Sequence, residues 1–431
     1  MKEILTDAAQ RDLAAEVYWT TREPMSVRFE GGQPSAVMQD RVDQCAIRVI
    51  QQGKLGMACG SRPEAAVLSA AEEAAAGGAE APLQFAPQSP AAQDPGPTAA
   101  TIEPEHLLEM AEELHRRVLG ERPDIAPVVQ ATRHHETVRI ATTEGFDDEQ
   151  TRSYVTLSVN APFHGAGSRV WKTRVLETTA AVDSQELSEE FLEWYAWGDR
   201  ISTPAAGRLP VLLAPGASFL LSMPLMAAIS GESLHQRTSP LEGRLNQQVL
   251  GEELTIMDTP QAPHDPLGRR FDDEGTPCRD RPLVERGVLQ GYLLDRRTAA
   301  LLSQESTGNG FKRALFGGGP WAPPNPWPGR LSVSGGNVGW RNLLTSVEQG
   351  LLLYGGMGFH SANYLQGNFS VQALGYHVEN GTVRGRLHGV MVAGNIYEDF
   401  HGVGVSQETV RHTEYESPYI LVPELQVAHG G

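Results

Sequence analysis

Four glycine-centred polar turns set the strongest limit on what this chain can fold into. They are Phe271-Asp272-Asp273-Glu274-Gly275, Ser306-Thr307-Gly308-Asn309, Gly367-Asn368-Phe369-Ser370 and Ala393-Gly394-Asn395-Ile396-Tyr397. Glycine adopts the backbone conformations that tight turns require at no steric cost. Between these turns helical periodicity is scarce, residues 298–304 and 341–349 being the exceptions. A second half of this kind predicts antiparallel strands. Polar turns at such wide spacing also point to a site built from backbone rather than from a cluster of catalytic side chains.

The first half reads differently. Leu5, Ala9, Leu13 and Val17 predict a helix over residues 4–19. Residues 26–30 and 45–50 alternate as strands and stop at glycines. Ser61 with Glu64 three residues on fits a capping box opening a helix that Gly77 and Gly78 end. Residues 80–100 form a surface connection. Leu107, Met110, Ala111, Leu114 and Val118 make the apolar stripe of a helix over 101–120. Strands are expected near 126–131, 137–143, 153–160 and 170–180, with a turn at 142–146, and a helix near 186–197 in which Trp194, Tyr195 and Trp197 pack. The fold class is therefore α+β: an N-terminal domain of helices on a sheet, residues 1–205, then a larger, mainly antiparallel β domain, residues 206–431.

Residues 209–231 carry no charge and are long enough to span a bilayer, but Pro210, Pro215 and Pro224 interrupt them. A buried strand over 211–214, a Pro-Gly turn and a buried helix over 218–230 account for the run better than a membrane span. Residues 316–330, with five prolines, exclude helix and central strand; Trp321 and Trp327 there could grip a peptide or anchor the loop.

A formal charge of −18 disfavours direct nucleic-acid binding. Three scattered cysteines, Cys45, Cys59 and Cys278, make neither a disulfide framework nor a metal knuckle, and the first residues lack an apolar leader; a cytoplasmic setting is expected. GxSxG, GxxxxGK[ST], HExxH and HExxxH strings are absent. Among the histidines, His134 and His135 are adjacent, and His360, His377, His388 and His401 are scattered.

The order and spacing of several stretches resemble the TldD/TldE (PmbA) family, also described as modulators of DNA gyrase, and within it the TldE/PmbA branch. The matching segments are 210–213, 230–232, 271–275, 287–293, 306–309, 367–370 and 394–397, with looser matches at 47–49, 53–56 and 143–146. The resemblance implies that a TldD subunit binds zinc through HExxxH on a buried helix and a later cysteine. Here the helix window falls on Ser222-Met223-Pro224-Leu225-Met226-Ala227 and the cysteine position on Gly355-Gly356-Met357-Gly358. Neither supplies the imidazoles, general base or thiolate such a site needs.

The resemblance implies a non-catalytic subunit with no metal or cofactor of its own. It would pair with a TldD-like HExxxH zinc subunit and help form a channel for unfolded peptides, or homodimerise when alone. A self-sufficient homodimeric hydrolase, and a non-proteolytic regulator acting on gyrase or toxin–antitoxin systems, are the alternatives. Ser306, Thr307, Gly308, Asn309, Gly367, Asn368, Phe369 and Ser370 are the candidate substrate-binding residues, since small side chains let a peptide strand approach. Asp272, Asp273, Glu274 and Gly275 could hold a cation or act as acid and base, but a solvated turn capping backbone amides is the simpler expectation, and Asn395 is expected to pin its own turn. His360 as a relocated ligand is set against a polar loop histidine, and Cys278 is expected to be inert.

Overall fold

The computed structural model describes residues 1–31, 33–90, 102–163, 169–176, 184–261, 265–314, 317–359 and 362–429. Helix α1 (Lys2–Gln10) leads into β1 (Ala14–Arg22), β2 (Met25–Glu30), β3 (Gln33–Gln39), β4 (Val42–Gln51) and β5 (Lys54–Gly60). Helices α2 (Ala65–Ala76) and α3 (Pro104–Glu121) follow, then β6 (Val128–Thr142), β7 (Asp147–Pro162), β8 (Arg169–Leu176) and α4 (Ser184–Trp197). The remainder runs β9 (Gly207–Leu213), α5 (Phe219–Ile229), α6 (Gly231–His235), β10 (Thr255–Asp258), β11 (Arg281–Glu285), β12 (Val288–Leu289) and α7 (Arg296–Leu301). After it come β13 (Gly310–Phe311), β14 (Asn325–Pro326), β15 (Leu331–Ser334), α8 (Trp340–Thr345), β16 (Gln349–Met357) and β17 (Asn368–Glu379). The chain ends with β18 (Thr382–Arg386), β19 (Val390–Asn395), α9 (Ile396–Asp399), β20 (Gly404–Arg411) and β21 (Tyr415–His429). The fold is α+β with a large β-rich C-terminal part.

The N-terminal strands form one antiparallel sheet in the order β3-β2-β6-β1-β4-β5, extended by β7 on β6 and β8 on β7. Strand β6 is long enough to pair with β2 through one half and β1 through the other. Residues 126–131 and 137–143, expected as two strands, are therefore one, with His134 and His135 in its middle. The helix expected over 4–19 also differs: α1 stops at Gln10, Asp12 takes a left-handed φ of 58°, and residues from Ala14 form a strand. Tyr18, Trp19, Thr20 and Thr21 favour a pleated surface, and pairing on both sides of β1 outweighs the helical spacing of Leu13 and Val17. The capping box at Ser61 does not form. Glu64 is itself the extended N-cap residue, without a side-chain bond, because Pro63 keeps the preceding residue out of the helical region.

The C-terminal sheet runs β12-β11-β10-β15-β21-β19-β17-β16-β9, and a further β21–β9 pairing closes its last five strands on themselves. Most pairs are antiparallel; β9–β16 and β15–β21 are parallel. Alternation along β9 and β16 explains how consecutive apolar residues are all buried. Val211, Leu213, Leu351 and Leu353 face the core that holds α5, while Leu212 and Leu352 face a second core with Trp194, Phe191 and the α3 stripe. Both faces of this stretch are covered, which is why it lacks polar alternation. In the second core the Tyr376 hydroxyl donates to the carbonyl of Trp194 at 2.6 Å, and the two rings meet edge to face. Among the described residues no helix is long and apolar enough to cross a membrane.

Candidate functional site

The first candidate segment opens β17. A 3-10 turn (Tyr364–Gln366) ends at Gly367, whose φ is +84°. A Cβ there would lie 2.6 Å from the Tyr397 ring, so the position needs glycine. Asn368, Phe369 and Ser370 then pair with Asn395, Gly394 and Ala393 of β19. Asn395 accepts from the amide of Tyr397 at 2.8 Å, capping α9, and its Nδ2 donates to the Gln366 carbonyl at 2.9 Å and to Asn368 Oδ1 at 3.1 Å. Asn368 is exposed, Ser370 half-buried, and Phe369 buried with its ring edge-on to Phe400. On the other side of β17, pairing with β16 begins only at Gln372↔Met357. Among the described residues, 368–371 thus have a strand neighbour on one side only.

Helix α5 lies beside this opening. Its half-buried face carries Phe219, Ser222, Met223 and Ala227, and the Phe219 ring meets Phe359 edge to face at 5.6 Å. Met357, at the end of β16, is 51% exposed. A hydroxyl, two thioethers and a methyl do not fit zinc, which takes imidazole, thiolate or carboxylate. Among the described residues no group of three or more His, Cys, Asp and Glu is placed to hold a metal ion. His377 hydrogen-bonds Ser202 Oγ, His401 hydrogen-bonds the Tyr397 carbonyl and His388 is exposed; His360 lies outside the described residues.

The segment 306–309 is turned inward. Thr307 Oγ1 accepts from the Leu294 amide at 2.8 Å and donates to Asn309 Oδ1 at 2.7 Å. Ser306 Oγ donates to the Leu294 carbonyl at 3.1 Å. Asn309 is fully buried and donates to Asp258 Oδ2 at 2.6 Å and to the Trp327 carbonyl at 3.0 Å. A Cβ on Gly308 would stand 2.3 Å from the Pro277 carbonyl.

The acidic turn is not solvated as expected: Asp272, Asp273 and Glu274 are all buried. Burial is possible because backbone amides and arginines take up their oxygens. Asp272 accepts from the amides of Glu274, Thr276 and Gly310 at 3.0, 2.8 and 2.8 Å. Asp273 accepts from the Lys312 amide at 2.8 Å and from Arg269 at 3.1 Å. Glu274 accepts from the Arg296 amide at 2.8 Å and, across the two sheets, from Arg48 Nη1 at 2.9 Å. Arg48 also holds Glu16 through two 2.8 Å bonds. The Phe271 ring meets Phe146 edge to face at 5.3 Å, and Gln150 donates to the Phe271 carbonyl at 2.8 Å. The turn is a clasp between the N-terminal and C-terminal sheets.

Burial, and then the neighbouring Glu274, pushes the Asp272 carboxyl well above its ordinary value. The same two causes raise Asp295 to about 6, and burial raises Asp258 to about 6. Cys278 is buried beside the turn with its thiol pushed up by burial, the opposite of a reactive thiolate. Turns 271–275 and 306–310 are brought together, as are 367–370 and 393–397, but among the described residues no hydrogen bond joins the two groups. The partners Glu16 and Arg48 were not singled out from sequence. Arg48 sits inside the run Ala46-Ile47-Arg48-Val49-Ile50, and a lone charge in an apolar strand is the signal that marks it.

Residues 206–429 match the PmbA/TldA metallopeptidase C-terminal domain, residues 15–77 match domain 1 of the same family and residues 97–203 its central domain. The chain belongs to the PmbA/TldD family. It is 29% identical over 269 residues to an uncharacterized Methanocaldococcus jannaschii protein, covering 61% of this chain and 60% of that one. A metalloprotease PmbA homolog of Buchnera aphidicola is 26% identical over 222 residues, 51% of this chain and 46% of the relative. A zinc metalloprotease TldD homolog of Saccharolobus solfataricus is 26% identical over 203 residues, 47% of this chain and 44% of the relative. The chain thus aligns with about half the length of these PmbA/TldD relatives. Its fold is that of TldE from Thermococcus kodakarensis, with a TM-score of 0.86, 22% identity and 99% of each chain covered.

Proposed function

We propose that this chain is a TldE/PmbA-like subunit that contributes no metal ligand and completes the peptide channel of a heterodimer with a TldD-like, HExxxH-bearing zinc subunit in the cytoplasm. The observation that carries the reading is the accessible face of α5, where Ser222, Met223 and Ala227 offer no zinc donor within a PmbA/TldD family fold. The zinc of the partner would supply the Lewis acid and the activated water. This chain would supply shape and backbone. An unfolded peptide can add as a strand only where a ladder is open, and residues 368–371 of β17, unpaired on the β16 side among the described residues, would be such a place. Gly367 and Asn395 would fix the start of that strand. Ser306, Thr307, Gly308 and Asn309, turned inward onto Leu294, Asp258 and Trp327, would support the C-terminal fold rather than touch peptide.

The test is to express this chain and a TldD-like subunit separately and together, and to follow cleavage of an unfolded peptide and zinc content per chain. The expected result is cleavage that needs both chains, with zinc following the TldD-like one. Full activity from the TldD-like chain alone would refute the reading. About one zinc per chain on this protein alone would favour the self-sufficient hydrolase instead. Recovery of gyrase without any peptidase in a pull-down would favour the regulatory alternative.

A further inference from the structure

The two sheets also meet around a cavity of about 630 Å³. In a chain whose net charge is −18, its lining is cationic. Arg22, Arg152, Arg269, Lys312 and Arg313 line it against only Glu136, Asp273 and Glu414. Glu136 is shared between Arg22, at 2.9 Å, and Arg152. Asp273 takes Arg269 at 3.1 Å. Glu414 is 58% exposed and reaches Arg313 only at 4.0 Å. Lys312 is 3% exposed and has no carboxylate within ion-pair distance among the described residues; its Nζ meets the carbonyls of Ala322 at 3.1 Å and Pro320 at 3.4 Å.

Positive charge is therefore in excess, and some donors are idle. Among the described residues Arg269 Nε, on a side chain 5% exposed, has no hydrogen-bond acceptor, and neither has Arg313 Nη1. A buried donor left unmade is costly, and more so when it is charged. Such a cost is removed by a ligand that brings acceptors. The chain that folds back on Lys312 and Arg313 leaves room for one: Gly319 donates its amide to the Lys312 carbonyl at 2.7 Å, and Gly317 and Gly319 line the cavity with nothing among the described residues within 4 Å of where a Cβ would stand.

We propose that this cavity is a binding site for a multiply charged oxyanion, a phosphate or carboxylate group presented by a small ligand, held by Lys312, Arg313 and Arg269. Every one of these residues belongs to this chain, so binding would occur with or without a partner subunit. Binding would also move a proton. Burial and then Arg48 of β4 push the Lys312 amine down to about 8, against the opposing pull of Glu16 on β1, Asp273 in the acidic turn and Cys59 on β5. The Tyr18 ring of β1 lies 5.2 Å from the same amine. An oxyanion beside Lys312 favours the ammonium form, so complex formation near pH 8 takes up protons and binding weakens at higher pH.

The experiment is calorimetric titration of the full chain at constant ionic strength with pyrophosphate, with citrate, and with a short peptide bearing a free or an amidated C-terminus. Each is run near pH 8 in two buffers of different ionisation heat. The expected result is saturable binding of pyrophosphate, citrate or the free-terminus peptide and none of the amidated peptide, and the ligand that binds distinguishes phosphate from carboxylate. Lost charge-assisted bonds should weaken binding about tenfold or more in Arg313→Gln, and the proton uptake should vanish in Lys312→Met. Arg313 is partly exposed, so Arg313→Gln carries the test if Lys312→Met misfolds by circular dichroism. Absence of binding by pyrophosphate, citrate and the free-terminus peptide, or unchanged affinity in Arg313→Gln, would overturn the proposal.

Discussion

The clasp between the sheets makes a quantitative prediction for Arg48→Met. The guanidinium satisfies three carboxylate oxygens at 2.8, 2.8 and 2.9 Å. Arg48, Glu16 and Glu274 have side chains 4%, 1% and 0% exposed. Methionine keeps the volume of the stem but leaves two buried carboxylates without their counter-charge. Breaking one partner out of a buried pair costs about 3–5 kcal/mol, because the charge left behind is not resolvated. Urea unfolding followed by tryptophan fluorescence at pH 7 should show a loss of that size. The triple variant Arg48→Met, Glu16→Gln, Glu274→Gln should recover most of it. None of the three positions then carries a buried charge, and the side-chain amide introduced at position 274 keeps a carbonyl oxygen to accept from the Arg296 backbone amide. Arg41→Ala, which removes a surface pair, should leave the transition where it is. A loss below about 1 kcal/mol in Arg48→Met, or a triple variant no more stable than the single one, would refute the view that charge burial dominates here.

Three further outcomes follow from the sites. Gly367→Ala forces a left-handed residue and a Cβ 2.6 Å from the Tyr397 ring; it should cost at least about 1–2 kcal/mol in thermal unfolding. Asn395→Ala removes the cap on α9 and two bonds to the 366–368 segment; a loss of about 1 kcal/mol is expected by the same measurement, with reduced peptide cleavage in the heterodimer assay. Asp258 is raised to about 6 by burial, so the native state holds its proton where the unfolded state has released it. Its contribution is present below about pH 4 and lost as pH rises through about 6. Stability of Asp258→Asn relative to the parent should therefore rise by about 2 kcal/mol between pH 4 and pH 7, and a difference that does not vary with pH would contradict this.

Elements whose burial is one-sided were legible in the sequence. The α3 stripe, α4 and β2 fall where periodicity places them, because one face of each meets a core; α5 falls where the uncharged run after Pro215 places it. Two misreadings have a common cause. At α1–β1 and along β6, strand pairing that is remote in sequence decides the conformation, and local spacing carries no trace of the partner strand. The same holds for the acidic turn. Three consecutive acids look solvated until Arg48, more than two hundred residues away, and the amides of Gly310 and Lys312 are brought to them. The cationic cavity was invisible for that reason too: Arg22, Arg152, Arg269 and Lys312 come from four separate stretches, and no run of more than two basic residues marks any of them.

The contrast between the clasp and α5 bears on function. Where charges are deeply buried, each carboxylate of the clasp has a fixed donor, which is what burial demands. On α5 no such demand operates. Ser222, Met223 and Ala227 are only half-buried, and Met357 at the end of β16 is half exposed. Imidazoles and a carboxylate could stand on that face with one side still in water, so packing alone does not account for a hydroxyl, a thioether and a methyl there. Stability is therefore a weak explanation of the residues on this face, and a surface that meets another chain and its peptide is the stronger one. An interface reading requires that Met223→Glu and Met357→Glu leave the isolated chain's unfolding midpoint nearly unchanged while abolishing association with the TldD-like subunit. If both variants still associate with parental affinity, the partner docks elsewhere and the α5 face has no role in it.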